Sequence, residues 1–126
     1  MKKKTVFIIT LGLALTTLYS CTKDRTKLAA PVNCSGISAT TNTWSLNVNP
    51  NIISFYCAYA PCHGGGSAQL GVDLSTYAST VNAFETKNVI CSVKNAGCIL
   101  MPNTGGPLPD TLILQLECWQ QNGYKQ

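Results

Sequence analysis

Cys57-Ala-Tyr-Ala-Pro-Cys62-His63 decides how this 126-residue chain is read. Two thiols are followed at once by an imidazole, and His63 is the only histidine. Further on stands Met101, the only methionine besides Met1. A thiol pair with an adjacent histidine is the residue set that covalent haem attachment needs. The thiols add to the vinyl groups, and the histidine takes one axial position on the iron. A thioether sulfur can take the other. The pattern therefore predicts one covalent haem c, with Cys57 and Cys62 as its thioether residues and His63 and Met101 as axial iron ligands.

The flanking sequence reads as helices. Asn49-Pro50 predicts a helix start, because Asn is a good N-cap and Pro suits the first helical position. Ile52, Phe55, Tyr56 and Tyr59 then recur at i, i+3, i+4 and i+7, which makes one apolar face. Cys57 falls on or just after that helix, and Pro61 disturbs it before Cys62 and His63. Gly64-Gly65-Gly66 permits a sharp turn and a close approach by a bulky planar group. Asp73-Leu-Ser-Thr-Tyr77 opens a second helix with Asp73 or Ser75 as its cap. Leu74, Tyr77, Val81 and Phe84 keep its face. Val89 to Val93 is apolar but too short to assign.

Cys91 and Cys98 enclose six residues, a spacing that suits a structural bridge bracing the Met101 loop. Pro102 biases Met101 toward an extended backbone. A last helix is expected from Pro109 to Gln121, ended by Gly123. Leu112, Ile113, Leu116 and Trp119 make its main stripe. Leu114 and Cys118 form a second apolar spot that needs a cover. A Cys34–Cys118 bridge would bring the cover there.

The ends of the chain speak to location. Lys2, Lys3 and Lys4 precede the mostly apolar Val6–Leu18, and Leu18-Tyr19-Ser20-Cys21 follows. This predicts a secretory signal over 1–20, short for a membrane span. The Leu-x-Ser-Cys pattern resembles a bacterial lipobox, with Cys21 as the lipidated residue. Residues 21–44 read as a tether, its far half pinned through Cys34, and 45–126 as the domain. Seven cysteines in a short exported chain imply bridges or cofactors. Assigning Cys21 to lipid and Cys57 and Cys62 to haem leaves four, enough for two disulfides. The count fits a haem-free body with three disulfides equally well.

Several function classes find no support. The net charge of +4 comes mainly from the three signal lysines, and no basic patch argues for nucleic acid. Asp73, Glu85, Asp110 and Glu117 are scattered, so no acid–base pair stands out. With one histidine, no Ser–His–Asp or Cys–His hydrolase remains available. Gly64–Gly66 lacks the lysine and strand of a phosphate-cradling loop. Zinc wants four tetrahedral ligands, and one histidine with scattered cysteines suits it poorly.

Asn49-Pro50-Asn-Ile-Ile, Cys62-His63, Gly71-Val-Asp-Leu-Ser-Thr-Tyr77, Met101-Pro102, and Trp119 with Gly123 together resemble a cytochrome c-type domain. It is similar to small domains in exported lipoproteins of Bacteroidetes-type bacteria. The likeness covers about residues 45–124. It implies an all-α, haem-wrapping fold with Cys57 and Cys62 as thioether residues, His63 as proximal ligand and Met101 as distal ligand. The chain departs from the usual pattern in having four residues, not two, between the cysteines. The expected role is single-electron transfer to an extracytoplasmic redox protein, from a lipid anchor in a bacterial membrane facing the periplasm or the exterior. That is an electron carrier more than an enzyme. Two alternatives stand beside it. One is a haem-free, disulfide-stapled binding or structural lipoprotein. The other is a haem sensor or peroxidase-like protein with an open sixth position.

Overall fold

The computed structural model describes residues 31–66 and 68–126. The expected signal segment 1–20, the expected lipidation at Cys21 and the first part of the expected tether lie outside the described residues. Among the described residues the chain is all-α: four helices, one short 3-10 turn and no strand. The helices are α1 (Trp44–Cys57), α2 (Tyr77–Thr86), α3 (Val89–Val93) and α4 (Asp110–Gln121). α4 packs against α1 and α3, and α2 packs against α3. No described helix is long and apolar enough to cross a membrane.

α1 differs from the sequence expectation in start and in winding. It begins at Trp44, where the Thr43 hydroxyl accepts the Leu46 N–H, and it carries Pro50 in its interior. Its bonds reach five residues back, as in Val48 N–H to Thr43 O at 2.9 Å and Ala58 N–H to Ile53 O at 2.7 Å. This is π-helical winding, wider than the α-helical turn. The buried positions accordingly recur every four or five residues: Trp44, Val48, Ile52, Ile53 and Cys57. The stripe read at α-helical spacing is therefore split. Ile52 is buried, but Phe55 is 70% exposed and Tyr59 lies beyond the helix.

α2 is capped by Thr76, not by Asp73 or Ser75. The Thr76 Oγ1 accepts the Ser79 N–H at 3.1 Å, and the Ser79 hydroxyl accepts the Thr76 N–H at 3.2 Å. Two end donors are satisfied reciprocally. Asp73 is occupied one step earlier, accepting the Ser75 N–H and hydroxyl, and those bonds hold its carboxyl below the ordinary value. α3 resolves the ambiguous Val89–Val93 as a short helix. α4 starts at Asp110 with Pro109 as its cap residue, and Gly123 at φ 76° turns the chain out of it.

The core is centred on Trp119, which is fully buried. Trp44, Tyr77, Phe84 and Tyr124 surround it with ring centroids 5.0–6.4 Å away. Its indole N–H donates to Lys125 O at 2.8 Å, so the polar edge of the buried ring is paired. Removing such a ring costs about 3–5 kcal/mol. Trp119 is thus a packing residue of the core.

The strand of chain before α1 is strapped onto α4. Cys34 is bonded to Cys118, as the second apolar spot on α4 predicts. Gln121 exchanges two bonds with the backbone of Val32. The Asn42 amide donates to Gln115 O at 2.8 Å. Packing therefore reaches back into the segment read as tether, and Asn42 and Thr43 are buried.

Candidate functional site

The pieces of the Cys-x4-Cys-His stretch are positioned by backbone bonds at the end of α1. Cys57 is its last residue and is buried. The chain then folds back on itself. Cys62 N–H donates to Tyr59 O at 2.7 Å, and His63 N–H donates to Cys57 O at 3.2 Å. On the other side His63 O accepts the Leu74 N–H at 2.8 Å. His63 is therefore pinned from both neighbours before its ring is considered. Gly64 makes this fold possible, because a Cβ there would lie 2.1 Å from the Ala58 carbonyl oxygen. The glycine serves a close approach of backbone to backbone.

The His63 ring is buried, and its Nδ1 lies 2.9 Å from Val72 O. A carbonyl can only accept, so Nδ1 carries a proton, which in the neutral ring leaves the lone pair on Nε2. Among the described residues no partner is placed on Nε2, and no buried side-chain nitrogen or oxygen is left unpartnered. Nε2 is thus the ring atom available at the cavity surface. Pairing one ring nitrogen with a backbone carbonyl is how proteins orient a ligating histidine and raise its basicity.

His63 lines an open cavity of about 420 Å³ together with Cys57, Cys62 and Met101. All four residues singled out by the sequence share this one space. The remaining lining is mostly apolar, including Leu74 and Val93 on the core side and Leu70, Ile99 and Tyr59 toward solvent. Leu70 and Ile99 are 68% and 67% exposed, high for large aliphatic side chains. Met101 is held by its N–H, which donates to Ser92 O at 3.2 Å on α3. The Cys91–Cys98 disulfide closes the turn between α3 and that loop.

Cys57 and Cys62 are both free thiols, whereas the other four described cysteines are bonded. Their environments differ. Burial, followed by the nearby Cys62, pushes the Cys57 thiol up to about 12, so it stays a thiol at neutral pH. Cys62 is half-buried, and its thiol is the main influence that raises the nearby Tyr59 phenol above its ordinary value. Among the described residues no group of three or more His, Cys, Asp and Glu is placed to hold a metal ion. The donor set present is one imidazole, one thioether and two thiols.

That set fits a covalently held haem. The imidazole has the correct ring nitrogen available, the thiols are unspent, and the walls are apolar on the scale of a small-molecule pocket. The sequence did not single out Val72, Leu70, Ile99 or Lys87 as part of this site. Val72 contributes a backbone carbonyl, which has no signature in side-chain identity. Leu70 and Lys87 reach the cavity through turns whose shape the pattern of residues does not give. Compared with protein-family models, with curated proteins and with solved structures, the chain matches none of them.

Proposed function

We propose that the chain is an electron-transfer lipoprotein with one covalent haem c in a cytochrome c-like wrap. The observation that carries this is the His63 Nδ1 to Val72 O bond, made at a cavity that also holds two unbonded thiols and Met101. Cys57 and Cys62 would each add S–H across a vinyl double bond. A sulfur–carbon bond would form at one vinyl carbon and the thiol hydrogen would go to the other, with no leaving group. His63, through Nε2, and Met101, through its sulfur, would hold the iron. When bound, the group supplies an iron that alternates between ferrous and ferric states.

The protein's own residues account for the rest. Thioether ligation by Met101 favours the reduced state, and the apolar lining acts in the same direction by disfavouring net charge. The Ser92 bond and the Cys91–Cys98 bridge brace the Met101 loop, which helps to hold a weak iron–sulfur contact. Leu70 and Ile99 would be covered by a flat apolar ring lying against the mouth. The partner would be an extracytoplasmic redox protein that receives one electron at a time. Two disulfides support an oxidising location outside the cytoplasm. The Cys21 lipid would hold the protein at a bacterial membrane.

The test is spectroscopic. The chain is produced with an export route and a haem-attachment system, and then extracted with acidified acetone. A Soret band that stays with the protein is expected, as is a weak ferric band toward the red that disappears in Met101→Ala. A band lost to the solvent refutes covalent attachment. A red band unchanged in Met101→Ala refutes the assigned sixth ligand and favours the sensor or peroxidase-like reading.

A further inference from the structure

The cavity wall is unlike a plain apolar pocket in one respect. Lys87 is the single charged side chain in a lining that contains no Asp or Glu. It sits at the C-terminal end of α2, where its backbone N–H donates to Ala83 O. Among the described residues the ion pair formed is Lys94 with Glu117, and Lys87 has no carboxylate partner. Asn88 and Ser92 from the α2–α3 side and Asn103 from the Met101 loop add neutral polar groups to the same lining. The other titratable groups facing the cavity are Cys57 and Tyr56 from α1 and Tyr59, Cys62 and His63 from the loop after it. The thiols and the cation therefore come from different elements.

We propose that Lys87 is the positioning residue for a carboxylate of the bound group, so that the cavity selects a flat apolar ligand with an anionic edge. This rests on the haem reading and adds the residue that receives the acid. Haem carries its vinyl groups and its propionates on opposite edges. In a ring tethered through Cys57 and Cys62 the propionates would lie on the edge away from the thiols, and Lys87 lines the same cavity from another element. An ammonium is a compact donor that suits a carboxylate at a half-open rim. It lowers the pKa of a neighbouring carboxyl and disfavours the extra positive charge of ferric iron.

The haem-loaded full chain is compared with its Lys87→Gln, Lys87→Arg and Lys94→Gln variants by redox titration across pH. Lys87→Gln lowers the midpoint potential and moves the carboxyl-linked inflection in potential against pH upward. Both shifts shrink as salt rises. Lys87→Arg keeps the parent profile. Lys94→Gln, with the same change of charge outside the lining, leaves potential and inflection in place. A haem-loaded Lys87→Gln protein with an unmoved potential and inflection overturns this inference and leaves the haem reading standing. A parent protein with no haem overturns both.

Discussion

Gly64→Ala is the sharpest structural perturbation of the site. The Cβ added there would meet the Ala58 carbonyl oxygen at 2.1 Å and its carbon at 2.5 Å. Ordinary contact begins at 3.4 Å, so the two backbone segments must separate by about 1.3 Å. No rotamer change can relieve this, because both obstructing atoms are main chain. Separation also strains the His63 N–H to Cys57 O bond, already 3.2 Å long. Overpacking of this kind costs about 1–3 kcal/mol, and rigid backbone on both sides argues for the upper end. A loss of about 3 kcal/mol lowers the folded-to-unfolded ratio roughly a hundredfold, a large share of a small domain's stability. The assay is urea unfolding of the exported chain, with haem content per polypeptide measured on the same samples. Gly66→Ala is the control. Its φ of 84° costs a residue with a side chain about 1–2 kcal/mol, but nothing lies within 4 Å of the added Cβ. The reasoning requires Gly64→Ala to be the worse of the two in stability and in haem content. A Gly64→Ala protein as stable and as fully loaded as the parent refutes it.

Other outcomes follow from the same geometry. The two disulfides close loops of different length, with sequence separations of 84 and 7. Loop-closure entropy gives about 4.5 kcal/mol for Cys34–Cys118 and about 2.4 kcal/mol for Cys91–Cys98. Paired Cys→Ala variants should therefore rank in that order by urea midpoint, while only the Cys91–Cys98 pair weakens the red ferric band. Cys57 and Cys62 should differ in the haem-free protein, where iodoacetamide at neutral pH labels Cys62 well before Cys57 by peptide mass mapping. The Cys57 thiol is raised from about 9 to about 12, so the folded state keeps a proton that the unfolded chain releases. Stability of the haem-free protein is then intact below pH about 9 and falls by roughly 4 kcal/mol as pH rises to about 12. Cys57→Ala should flatten that decline.

Part of this architecture was legible in the residues. Periodicity located α4, and its second apolar spot pointed to the Cys34–Cys118 bridge. The spacing of Cys91 and Cys98 pointed to the other. The same reasoning failed on α1. It assumed an α-helical period and took Pro50 as a start signal, whereas the helix is wound more widely and runs through Pro50 from Trp44. Buried spacing in such a helix does not match the i, i+3, i+4, i+7 template. At α2 the rule for caps was right in kind but pointed to Asp73 or Ser75, whereas the cap is the neighbouring Thr76, and only geometry separates them. The site residues with distinctive chemistry, Cys57, Cys62, His63 and Met101, were all visible in the sequence and share one cavity. The carbonyl of Val72 and the ammonium of Lys87 were not, since one belongs to the backbone and the other is distinguished only by where the chain carries it.

The intact mass of the polypeptide, exported by its native host and stripped of loosely held pigment, bears most directly on the central claim. The account predicts the lipidated chain from Cys21 onward plus one haem, with the haem mass mapping to the peptide that holds Cys57 and Cys62. A colourless protein whose mass contains no porphyrin contradicts it.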